Sequence, residues 1–110
     1  MDSGDSNTGS GQKDTLLFLQ LVASLEQSAM MAMGKLMNPL TQKVEKDMEM
    51  AKSSIDILKM IEAKTAGNLT REEEMFLKQV LMQLQLNFLE ELKKWNAENT
   101  QENKEDNKES

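Results

Sequence analysis

Glu72, Glu73 and Glu74 are three consecutive carboxylates, and Glu45 and Glu49 stand one helical turn apart. Carboxylates placed like this can hold a hard cation or carry a proton. The sequence withholds the partners such chemistry usually needs. It has no His, no Cys and no Tyr. A Glu-x-x-His di-metal centre cannot be built in a helical bundle, nor a thiolate nucleophile, nor a Ser–His pair. The plainer reading of Glu72–Glu74 is charge at the positive end of a helix dipole, and that of Glu45 and Glu49 is a solvated face. Lys64-Thr65-Ala66-Gly67-Asn68 has phosphate-binding residue types. However, it does not match G-x-x-x-x-G-K-[ST], and no strand precedes it. It reads as a helix–helix connection. No catalytic residue, metal site or cofactor is expected. Chemistry by Glu or Lys alone stays conceivable, but no spacing selects it.

The elements that carry these residues are helical. Leu, Met, Glu, Lys and Gln dominate the middle of the chain, and their unbranched stems keep rotamer freedom in a helix. Three helices are expected. The first runs from about Thr15 to Met37, capped by Asp14 and stopped by Asn38-Pro39. The second runs from about Gln42 to Lys64, with Thr41 as cap and Gly67 in the left-handed position past its end. The third opens on a capping box, Thr70-Arg71-Glu72-Glu73, and ends near Trp95. Residues 14–95 are expected to form an all-α, three-helix antiparallel bundle, a helical hairpin plus an N-terminal helix. Residues 1–13 and 96–110 are Ser/Gly/Asp- and Asn/Glu/Lys-rich and are expected to be disordered tails.

The apolar patterns differ between helices. The second helix has a narrow seam, Val44, Met48, Ala51, Ile55 and Leu58. The first has two stripes: Phe18, Val22, Leu25, Ala29, Ala32 and Leu36, and Leu16, Leu19, Ala23, Met30, Met33 and Met37. The third pairs Leu77, Leu81, Leu84, Phe88, Leu92 and Trp95 with Met75, Met82, Leu86 and Leu89. One partner needs a stripe of only ~100°, so the first and third helices have apolar surface to spare. Ser24, Ser28 and Ala32 add small residues at intervals of four, which permit a close helix crossing. The candidate interface is therefore Leu19, Ala23, Ser24, Ser28, Met30, Ala32, Met33, Met82, Leu86 and Leu89. The methionines from Met30 through Met82 are read mainly as core filling, with an adaptable binding surface as the alternative.

The net charge of −6 is partly a tail property, because Glu98, Glu102, Glu105, Asp106 and Glu109 face only Lys104 and Lys108. With no basic stripe, nucleic acid is not an expected partner. The longest uninterrupted apolar run is Ala29–Met33, short of the ~18 residues of a membrane span. Peripheral membrane attachment through the first helix is weakened by its single cation in the Thr15–Met37 stretch, Lys35. Absence of Cys suits a reducing cytoplasm.

Ile55-Asp56-Ile57-Leu58 followed by Glu62-Ala63-Lys64-Thr65-Ala66-Gly67-Asn68-Leu69-Thr70-Arg71-Glu72-Glu73 resembles the bacterial family "domain of unknown function 1844". The Phe18–Leu25 stretch, Gly34 and Asn38-Pro39 also fit it. The resemblance covers about residues 15–92, and Lys-Thr-x-Gly-Asn-Leu-Thr is its most specific part. It implies a bacterial, cytoplasmic, helical protein and brings no activity, ligand or catalytic residue. Together these readings lead to a non-enzymatic module that forms a homodimer and binds another protein. A peripheral membrane protein, or an enzyme using Glu or Lys, is the alternative.

Overall fold

The computed structural model describes the backbone of residues 6–109 and the side chains of residues 11–98. It has three helices: α1 (Ser6–Ala32), α2 (Met48–Lys64) and α3 (Arg71–Glu109). All three pairs of helices pack together. The Thr15 hydroxyl near the start of α1 reaches Glu73 at the start of α3, and Lys35 just past the end of α1 reaches Glu91. α1 therefore runs parallel to α3, and both run antiparallel to α2. The expected all-α bundle is the observed fold. The helices at the chain ends extend past the expected Thr15 and Trp95 bounds, to Ser6 and Glu109. The expectation of disorder concerns tails whose side chains, 1–10 and 99–110, lie outside the described residues.

The core draws on one stripe of each helix: Val22, Ala29, Ala32 and Met33; Ala51, Ile55 and Leu58; Leu77, Val80, Leu81 and Leu84. Phe18, Leu25, Met30, Ile61 and Phe88 pack around them half-buried. Met33 is the only methionine buried among the described residues. Met37, Met50, Met60, Met75 and Met82 are exposed, so the core-filling reading fails for most of them. The helix phases point these side chains to solvent, and Ala and Leu suffice to fill the space inside.

The α1–α2 connection departs from the expected Met37 stop and Gln42 start. α1 ends earlier because Gly34 takes φ +79°. Its amide donates to the Met31 carbonyl at 3.0 Å, and the Lys35 amide donates to that of Met30 at 2.8 Å. These two bonds form a Schellman motif, which closes a helix before the proline is reached. The chain then folds as a small hairpin with isolated antiparallel bridges Met33–Lys46 and Asn38–Lys43. At its tip the Asn38 side chain accepts from the Leu40 amide at 2.9 Å, and Gln42 takes φ 58°. Asp47, not Thr41, caps α2: its carboxylate accepts from the Met50 amide at 3.1 Å. Val44, placed in the α2 seam by periodicity, lies on this hairpin and is exposed.

The α2–α3 turn follows the sequence closely. The Asn68 amide donates to the Thr65 carbonyl at 2.9 Å, and Gly67 takes φ +84°. A Cβ at Gly67 would meet nothing within 4 Å. The cost of a side chain there is conformational alone. Gly67→Val is expected to destabilise by more than ~1 kcal/mol, and Gly67→Asn by less, because Asn tolerates the left-handed region. Thermal denaturation checks this, and equal Tm values for wild type and Gly67→Val would contradict it.

Candidate functional site

The capping box of α3 forms as spaced. The Thr70 amide donates to Glu73 Oε1 at 2.8 Å, and the Glu73 amide donates to Thr70 Oγ1 at 3.2 Å. The second carboxylate oxygen of Glu73 accepts from Thr15 Oγ1 at 2.7 Å, so a local cap also pins α1 to α3. These donors, the Thr70 amide first and the Thr15 hydroxyl next, hold the Glu73 carboxyl below its ordinary range. Glu72 and Glu74 are exposed, as are Glu45 and Glu49. No group of three or more His, Cys, Asp or Glu suited to a metal stands together among the described residues. In the Lys64–Asn68 loop the Thr65 hydroxyl donates to the Ile61 carbonyl at 2.7 Å. The side chains of Lys64 and Asn68 in the same loop are exposed.

Sequence reasoning missed Glu91. Its side chain is buried, yet it receives Lys35 at 2.9 Å, Lys46 at 2.6 Å and Lys94 at 3.3 Å. Lys35 and Lys46 are the two roots of the hairpin between α1 and α2, so a single carboxylate clamps both to α3. The Lys35 ammonium, then that of Lys46, lowers the Glu91 carboxyl to about 2 against an opposing desolvation penalty. In return the Glu91 carboxylate raises Lys35 above its ordinary value. A signal was present: Leu77, Leu84 and Glu91 recur every seven residues, so a charge occupies a core phase. Such a charge is stable only when paired.

The apolar surface divides by helix. On α1, Leu16, Leu17 and Leu21 are exposed. Of the expected interface residues there, Ala32 and Met33 belong to the core, and Met30 packs against it. Ala32 and Met33 therefore offer no free surface, and Met30 offers only part of its side chain, because both stripes approach the core near Gly34. Leu19 and Ser28 are half-buried, and Ala23 and Ser24 are exposed, with the Ser24 hydroxyl bonded back to the Gln20 carbonyl at 2.9 Å. On α3, Met82, Leu86 and Leu89 are 60%, 61% and 52% exposed, and Met75 joins them at 59%. An open groove of about 800 Å³ lies at the hairpin end, lined by Met31, Leu36, Met48, Met50, Leu92 and Trp95 among others.

Residues 15–90 match the family described as "Domain of unknown function (DUF1844)". The chain belongs to this family. The match spans the Thr15–Glu73 contact, the hairpin and the turn at Gly67 and stops one residue short of Glu91, so these elements except the clamp carboxylate lie within the DUF1844 region. No curated protein and no solved structure matches the chain. The Gly11–Ala32 stretch of α1 is long and apolar enough to cross a membrane by length and composition, with mean hydropathy 1.2 and 17% of the window buried. This corrects the inference from uninterrupted runs, because the Gln and Ser residues of α1 break the run without making the helix polar. A core helix passes the same test, and Val22 and Ala29 of this stretch are core.

Proposed function

We propose that this domain acts by binding and not by catalysis: a cytoplasmic module that self-associates and docks another protein. The observation that carries the reading is the run of exposed Met75, Met82, Leu86 and Leu89 along a single helix. Scattered exposed apolar residues are normal on a soluble domain. A line of them along one face of a helix whose opposite face already fills a core is the mark of an interaction surface. Catalysis has no comparable support, since the buried carboxylates Glu73 and Glu91 are both engaged in holding elements together. Sedimentation equilibrium at micromolar concentration is the test: a dimer mass is expected, and a monomer mass overturns self-association.

A second reading, peripheral attachment to a membrane, rests on α1. Leu16, Leu17 and Leu21 are exposed on the stretch that is apolar enough to enter a bilayer. Flotation with liposomes containing anionic lipid separates the two. Binding abolished by Leu17→Glu/Leu21→Glu would favour the membrane, and failure to float removes it.

A further inference from the structure

The outward face of α3 has a regular period. Glu72, Met75, Gln79, Met82, Leu86, Leu89 and Lys93 follow one another at spacings of three and four, and all are exposed. This is the 3.5-residue repeat of a coiled-coil seam, with Met75, Met82 and Leu89 at d and Gln79 and Leu86 at a. The inward residues Leu77, Leu84 and Glu91 lie opposite, so the seam makes no contribution to the bundle core. Such a repeat fits a partner helix with the same spacing, and α3 itself has it. The ends of the seam choose the orientation. Glu72 and Lys93 both occupy a positions about three heptads apart, a span of ~32 Å at 1.5 Å per residue. In a parallel pair Glu72 would face Glu72 and Lys93 would face Lys93. In an antiparallel pair centred at the level of Leu84, Lys93 of each copy meets Met75 of the other, ~4.5 Å along the axis from its Glu72, Gln79 meets Leu89, and Met82 meets Leu86.

We infer that α3 pairs antiparallel with α3 of a second copy along Glu72–Lys93, a surface that deepens the self-association proposed above and rests on it. The chain has no cysteine, so introduced thiols report the pairing directly. The full chain is made as Gln79→Cys, as Leu89→Cys and as Leu86→Glu. Oxidation of an equimolar mixture of the two cysteine variants is expected to give a mixed disulfide dimer, with little dimer from either alone. Leu86→Glu is expected to sediment as a monomer with its helical circular dichroism retained. A disulfide dimer from Gln79→Cys alone would establish parallel pairing and overturn the inference. A Leu86→Glu protein that stays dimeric would keep self-association and overturn this seam. A wild-type monomer would overturn both.

Discussion

Leu84→Ala is expected to destabilise the domain by about 2–5 kcal/mol, the usual cost of emptying a buried leucine site. Leu84 is 0% exposed and sits where stripes of all three helices meet. At ~4–8 °C per kcal/mol for a domain of this size, its Tm should fall by at least ~8 °C. Leu86→Ala, two residues away on the same helix, should behave differently. Leu86 is 61% exposed, so its truncation leaves the fold of a single copy intact at concentrations too low for association. Thermal melts of both variants under dilute conditions make the comparison. Equal losses would mean that α3 is rotated from the phase described, with Leu86 inside.

Removal of the Glu91 clamp is the second large effect. Its carboxyl is lowered from 4.5 in the unfolded chain to about 2 in the folded one. The stabilisation is therefore fully present above the unfolded value and is lost as pH falls from about 4.5 to about 2. A shift of that size corresponds to roughly 2–3 kcal/mol once the partial exposure of the lysines is discounted. Glu91→Gln is expected to lose about that much at neutral pH and to flatten the acid limb of the stability curve. Some acid sensitivity should remain, because Glu73 is shifted in the same direction. The damage should be local first. Amides of the hairpin between Lys35 and Lys46 should exchange faster, while those of α2 near Leu58 keep their protection. Urea melts from pH 2 to 7, paired with hydrogen exchange, test this. Parallel acid limbs for wild type and variant would contradict the clamp.

The parts of the fold legible in the sequence were those set by local chemistry. Thr70 and Glu73 close a reciprocal cap through bonds three residues apart, and Gly67 supplies a positive φ beside them. The helix ends near Gly34 and Asp47 were harder. Asn38-Pro39 is a strong stop, but Gly34 acts first, and Asp47 becomes a cap only because the hairpin delivers it there. Periodicity gave two apolar stripes each on α1 and α3 without saying which turns inward. That choice is made by packing: Leu77, Leu81 and Leu84 go in and Met82, Leu86 and Leu89 stay out, whereas on α1 Met30 and Met33 turn inward. Glu91 was hidden for a related reason. A carboxylate gains its place in a core phase from lysines more than forty residues away in the chain, and helical periodicity does not record them.

Self-association carries the functional account, and sedimentation equilibrium of the full chain at micromolar concentration tests it most directly. A mass twice the 12.5 kDa of one chain, reverting to a single chain in Leu86→Glu, is the predicted result. A single-chain mass for the wild-type protein across the micromolar range would contradict it.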